Sequence, residues 1–249
     1  MEVSIFMSYN KCFIAGIIKG EPYFSRNGDS LLLDLSILRT DIQKEEFLTV
    51  SIRKKETIKK AITELEEGDY IVSVNAQLMT INTFKTKEII CPHCQRITHI
   101  KAKGETTELV LNDFSTIKND KIESTLPGVN KVLLMGNLYN DPKFRSAINN
   151  LDYIKYKIVV TNYEDGNEIK SFPYIVSFNK EAQNAKLYLK KGNTVFIEGA
   201  LQERHFKQRT KSFCTHCETE FDALTNSYTR EVITANVKYL KEKTKEDFD

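Results

Sequence analysis

The feature that most constrains this 249-residue chain is that its pattern is written twice. Asn10-Lys11, Gly16 and Pro22 meet Asn130-Lys131, Gly136 and Pro142 at a constant offset of 120. Leu65, Gly68 and Ala76 then meet Leu189, Gly192 and Ala200 at an offset of 124, and Cys91, Cys94 and Glu108 meet Cys214, Cys217 and Glu231 at 123. Repetition of this kind sets the architecture before any local pattern is read. Each copy runs to about 115 residues, longer than a solenoid repeat and enough to bury its own core.

Composition narrows the class. The apolar runs are short and broken by charge, so none has membrane length. The first residues, MEVSIFMSYNK, lack a basic region followed by an apolar core, so export is not expected and the cysteines should stay reduced in a cytoplasmic setting. The net charge of +2 does not by itself indicate a polyanion partner; how the charges are distributed matters more.

Segments 11–18, 31–38, 46–52, 70–78 and 106–114 alternate or are rich in β-branched residues, and turn residues bound each one. Between the third and fourth, KKETIKKAITELE sets Ile58, Ile62 and Leu65 on one helical stripe that ends at Gly68. The second half repeats the order with strands at 131–138, 153–161, 171–178, 193–201 and 228–240 and a helix at 180–189 closed by Gly192. Five strands with one helix between the third and fourth is the order of the OB-fold barrel. The sequence therefore predicts an all-β protein of two tandem OB-fold barrels, at 1–117 and 130–249, joined by a polar linker at 118–129.

Both barrels are interrupted between strands four and five, at 82–107 and 202–227, by stretches too long for a simple turn. Each is expected to be a hairpin carrying a Cys-x-x-Cys knuckle, Cys91-Pro92-His93-Cys94 in one and Cys214-Thr215-His216-Cys217 in the other. A closed structural Zn²⁺ site takes four ligands, so two thiolates need a partner pair. The simplest completion is one shared site of Cys91, Cys94, Cys214 and Cys217. The alternatives are separate sites completed by His93 with His99 and by His205 with His216, a site formed between chains, or no metal and a disulfide or redox pair. Cys12, in an apolar strand, reads as a small buried hydrophobe.

The second half carries, in order, 130–138 (NKVLLMGNL) followed by Asp141-Pro142, 174–180 (YIVSFNK) and 188–201 (YLKKGNTVFIEGAL). In these blocks and their order it resembles the bacterial single-stranded DNA-binding protein family. The resemblance implies a protein that stacks bases on aromatic rings, with Phe172, Phe178 and Phe206 at three of the family's positions and Tyr163 near a fourth. It also implies four barrels per assembly, which a chain with two would reach as a homodimer. Independently of the family, Arg204, Lys207, Arg209 and Lys211 interleave with Phe206 in a run without acids, a composition suited to phosphate tracking and base stacking. The family's long linker and acidic tip ending in phenylalanine have at most a faint echo in Glu246-Asp247-Phe248, because Asp249 follows.

The first half departs from this pattern. Phe47 and Phe84 match Phe172 and Phe206, but Arg53 replaces Phe178 and nothing aromatic matches Tyr163. Its contacts are expected to rely more on charge, through Arg39, Arg53, Lys55, Lys85 and Lys87, or to serve assembly. The basic helix face of Arg53, Lys54, Lys55, Lys59 and Lys60 is equally readable as a solvated surface. No GxxxxGK[ST] loop, GxGxxG turn or Ser/His/Asp grouping stands out, so an enzyme is not expected. The reading is a sequence-independent single-stranded DNA-binding protein with structural zinc, encoded by a bacterium, a phage or a mobile element. It would coat strands in replication, recombination, repair or DNA transfer, alongside proteins of those processes. The alternative is a zinc-clamped tandem OB adaptor within such a complex, and RNA is a further candidate ligand.

Overall fold

The structure, a computed structural model, describes residues 8–39, 42–122, 126–146, 152–164 and 167–241. Its elements run β1 (Tyr9–Ile18), β2 (Tyr23–Phe24), β3 (Leu31–Arg39), β4 (Lys44–Ile52), α1 (Lys55–Glu64), β5 (Tyr70–Ile90), β6 (Ile97–Leu111) and β7 (Ser115–Ile117). After a short 3-10 turn at Asn119–Lys121 come β8 (Val129–Leu138), β9 (Lys143–Ser146), β10 (Asp152–Glu164), β11 (Asn167–Ser171), β12 (Tyr174–Phe178), α2 (Asn179–Tyr188), β13 (Thr194–Cys214) and β14 (Thr219–Lys241).

Each half closes a five-stranded barrel. In the first, β1 pairs with both β3 and β5, β3 with β4, and β5 with β6, all antiparallel. A parallel pairing of β4 with β6, Val50 opposite Leu109, completes the ring. The second repeats it with β8, β10, β12, β14 and β13, closed by the parallel pairing of Ile175 with Val232. The expected OB-fold order, with one helix between strands three and four, is therefore present in both halves. Alternation fills the interiors: Leu31, Leu33, Leu35 and Ile37 are buried along β3, as are Ile154, Tyr156, Ile158 and Val160 along β10. Gly16 and Gly136 sit where the first strand crosses its neighbour so closely that a Cβ would lie 2.6 Å from the Ser36 carbonyl oxygen and 2.2 Å from that of Val159. That close approach accounts for glycine at both copies of the position.

Local expectations need two corrections. Ile62 is exposed, whereas Ala61 and Leu65 are buried, so the inward stripe of α1 runs through Ile58, Ala61 and Leu65. The strand expected at 171–178 is broken at Phe172-Pro173, because proline lacks the N–H that a ladder needs. The expected knuckle-bearing hairpins extend from each barrel as continuations of its strands. β5 and β13, each of 21 residues, run straight out of their barrels and return as β6 and β14.

Nothing in the repeat indicates how the barrels join. Their first strands pair antiparallel, Tyr9 opposite Met135 through Ala15 opposite Val129, and one 14-stranded sheet runs through both halves. Cys12 and Val132, which correspond in the repeat, face each other at the centre of that pairing, so a local pseudo-twofold axis passes between them. Cys12 is 1% exposed, and burial pushes its thiol pKa far above the ordinary range.

Candidate functional site

On the outer side of the second barrel, the residues of β10 that alternate with its buried ones are Tyr153, Lys155 and Lys157. They lie in register with Phe178, Val176 and Tyr174 of β12. With Tyr139, Asn140, Lys143, Arg145, Arg204 and Glu231 they line a groove of about 750 Å³. The rings of Tyr153 and Phe178 stand 6.1 Å apart, and Lys155 Nζ and Lys157 Nζ lie 4.0 and 4.4 Å from the centre of the Tyr174 ring. Cations over ring faces are mutually stabilising and hold the rings in defined orientations.

The groove's positive charge is partly met from within. Glu231, 5% exposed, holds Lys155 at 2.5 Å and Arg204 at 3.3 Å. The two Glu105 carboxylate oxygens accept from Lys157 at 2.8 and 2.9 Å. Burial works against the Lys157 charge, but Glu105 and Tyr174 outweigh it and raise its pKa. Several π-faces and five cations in one groove suit a ligand that is both polyanionic and built of flat rings.

The structure distributes the expected residues unevenly. Phe178 and Arg204 line this groove. Phe172 is half-buried at its margin with its ring 5.1 Å from that of Tyr139, edge to face. Phe206 is 36% exposed on the hairpin arm, under the Arg204 guanidinium at 5.4 Å. Lys207, Arg209 and Lys211 are exposed on the opposite face of β13, with Arg209 3.9 Å from Asp222. The side chains of Tyr163, Phe84 and Lys85 lie outside the described residues. Tyr139, Lys143, Arg145, Tyr153, Lys155, Lys157 and Tyr174 were not anticipated. The signal for three of them was the period-two alternation of Tyr153, Lys155 and Lys157 against Ile154, Tyr156 and Ile158.

The first barrel presents a different surface. Phe47 is 63% exposed, and Tyr23 and Phe24 are exposed beside β3. Arg53 is tied to Glu108 at 2.8 Å, Arg39 lies 3.8 Å from Glu46, and Lys55 is exposed on α1. Lys87 donates to the Asn226 carbonyl on the other hairpin. Ile18 faces Leu35 as Leu138 faces Ile158, so Asp34 occupies the place of Lys157. There it accepts from Thr49 at 2.6 Å and from Tyr23 at 3.4 Å. An acid therefore stands in the first barrel where the second has a cation.

At their tips the hairpins meet. The sulfurs of Cys91, Cys94, Cys214 and Cys217 all lie within 4.8 Å of one another, with Cys91 3.7 Å from Cys217 and Cys94 3.6 Å from Cys214. Four thiolates bound tetrahedrally at about 2.3 Å from a Zn²⁺ have sulfurs about 3.8 Å apart, so the cluster suits such an ion. The two knuckles fold alike: the residue after each second cysteine is left-handed, Gln95 at φ 58° and Glu218 at φ 55°, and donates its N–H to the Cys91 or Cys214 carbonyl. Burial raises the Cys214 thiol, but the N–H groups of Cys217 and His216 outweigh this and lower its pKa to about 6. For Cys94 the Arg96 N–H acts to lower, yet burial and the neighbouring thiols leave it raised to about 11. The histidines do not join the cluster. His93 and His216 point to solvent, His99 lies 3.2 Å from Glu88 and His205 3.0 Å from Glu203. Separate sites of two cysteines and two histidines are therefore not what the structure forms.

The model of the single-strand binding protein family matches residues 129–240. Single-stranded DNA-binding protein 2 of Staphylococcus aureus strain Mu50 is 33% identical over 85 residues, 32% of this chain and 60% of that protein. Single-stranded DNA-binding protein 1 of Chlorobaculum tepidum is 35% identical over 101 residues, 35% of this chain and 62% of that protein. The chain thus spans about 60% of the length of these curated relatives. Among solved structures, the wild-type single-stranded DNA binding protein from Thermus aquaticus superposes with a TM-score of 0.61 at 15% identity, covering 95% of each chain. That likeness concerns the fold and extends over both halves.

Proposed function

We propose, from the match of residues 129–240 to the model of the single-strand binding protein family, that the chain binds single-stranded DNA without reading its sequence. The observation that carries this is the groove of the second barrel, where Tyr153, Tyr174 and Phe178 offer ring faces between Lys143, Arg145, Lys155, Lys157 and Arg204. Every base has a π-face and every nucleotide a phosphate, so such a surface grips any unpaired strand, at ~1–3 kcal/mol per stacked base. Phe172 and Phe206 extend the aromatic path, and Tyr163 is assigned to it by position. Lys207, Arg209 and Lys211 supply phosphate contacts along the hairpin.

The first barrel, 1–117, joined through 118–129 to the second at 130–249, contributes a weaker surface in which Phe47, Arg39, Arg53, Lys55 and Lys87 take part, with Phe84 and Lys85. Cys91, Cys94, Cys214 and Cys217 hold one structural zinc, which supplies no chemistry beyond cross-linking the two hairpins. The chain acts by binding, in the bacterial cytoplasm, as a homodimer that presents four barrels during replication, recombination, repair or DNA transfer.

Fluorescence-anisotropy titration of oligo-dT and duplex DNA at two salt concentrations tests this reading. The expected result is nanomolar to micromolar binding of oligo-dT alone, weakening steeply with salt. Equal affinity for duplex, or none for either, would contradict it, and the latter would favour the adaptor role.

A further inference from the structure

Lys157 belongs to the second barrel, but the carboxylate on it does not. Glu105 comes from β6, on the hairpin of the first half, where its backbone is fixed by pairing opposite Asn82. The base of that hairpin is docked on the second barrel, because Thr80 Oγ1 accepts from the Phe172 N–H at 2.7 Å and the Thr80 N–H donates to Ser171 Oγ at 3.3 Å. Glu105 is thereby delivered to the groove, with both oxygens within 2.9 Å of a Lys157 ammonium that also lies against the Tyr174 ring. The Lys157 side chain is only 15% exposed, so the carboxylate covers a cation that would otherwise open onto the groove.

We propose that Glu105 is a built-in competitor for the strand: it occupies the phosphate position on Lys157, and a bound strand displaces it. This rests on the reading of the groove as a nucleic-acid site. A carboxylate and a phosphate oxygen make the same charge-assisted bond to an ammonium. The hydrophobic and aromatic lining is unaffected by the exchange, so Glu105 sets affinity and salt response rather than the choice of base. It also couples the halves, since occupancy of the second barrel frees a residue of the first half's hairpin. The first barrel needs no such device, because Asp34 stands there in place of a lysine.

Glu105→Gln keeps the shape of the side chain and removes its charge. It should tighten oligo-dT binding about 3-fold to 5-fold at low salt, the range expected for releasing one partly exposed ion pair. The slope of log affinity against log salt should steepen by up to about 0.7, because the variant neutralises the same phosphate without returning to solution a carboxylate that takes up a cation. Glu105→Ala should act in the same direction. Glu88→Gln, an exposed carboxylate on the same hairpin, should shift affinity less, and Glu105→Gln should have no effect once Lys157→Gln is present. Unchanged or weakened binding by Glu105→Gln, an equal gain from Glu88→Gln, or a gain that persists with Lys157→Gln would overturn the proposal. Wild-type protein that ignores oligo-dT would instead overturn the reading of the groove itself.

Discussion

Asn10 and Asn130 make the same two-point amide contact on corresponding strands. Asn10 donates to the Leu78 carbonyl at 2.7 Å and accepts from the Leu78 N–H at 3.0 Å, while Asn130 does so with Leu201 at 2.8 and 3.0 Å. Each also reaches into the other half, Asn10 to Asn162 Oδ1 at 2.7 Å and Asn130 to Glu46 Oε2 at 3.0 Å. The pseudo-twofold axis through the β1–β8 pairing relates the two leucine contacts, and the pairing of Cys91 with Cys217 and of Cys94 with Cys214 follows the same symmetry. The duplicated half-chain has thus folded back as an intramolecular pair.

Removing either amide should weaken the joint. Asn130→Ala and Asn10→Ala each leave backbone groups of a paired strand without a partner, at an expected cost of ~1–3 kcal/mol. Urea unfolding of the two variants checks this, and stability within error of wild type would contradict it.

Metal content should be one zinc per chain. Because the four sulfurs form one cluster, Cys91→Ser and Cys214→Ser should lower the unfolding temperature similarly, as should a strong chelator. Native mass spectrometry with thermal melts decides it: two zinc ions per chain, or unequal losses, would contradict a shared site.

Within the groove, Tyr174→Ala and Phe178→Ala should each lose ~1–3 kcal/mol of oligo-dT affinity with the fold retained. Phe47→Ala on the first barrel should lose less, since Arg53 and Asp34 stand where the second barrel has Phe178 and Lys157. Equal losses at all three positions, read by anisotropy, would contradict the unequal halves.

The knuckle turns carry a local cost. A left-handed non-glycine residue costs ~1–2 kcal/mol, and glycine removes most of it at some expense in unfolded-chain entropy. Gln95→Gly and Glu218→Gly should therefore raise stability by about 0.5–1 kcal/mol in the metal-loaded protein. Calorimetry showing a loss would contradict that account.

The repeat made the barrels legible because Gly16 with Gly136 and Gly68 with Gly192 mark fixed points of a strand crossing and a helix end. The cysteine cluster was legible for the same reason, since two knuckles in equivalent loops have a symmetry-related meeting point. The groove was only partly legible. Phe178 shares a face of β12 with the buried Val176 and could have faced the core; which side it takes is decided by register with Tyr153 of β10, a long-range pairing that local pattern does not contain. The cross-pairing of Glu105 with Lys157 and the β1–β8 joint lie equally beyond local pattern, because both depend on how one half docks on the other.

The central claim is that the aromatic groove of the second barrel holds the strand. Photocrosslinking of an oligonucleotide carrying 5-iodouracil, with the modified residues identified by mass spectrometry, tests it at the level of single rings. The account predicts crosslinks at Tyr153, Tyr174 or Phe178, reduced by competing oligo-dT. Crosslinks confined to the first barrel, or none in the groove under saturating strand, would contradict it.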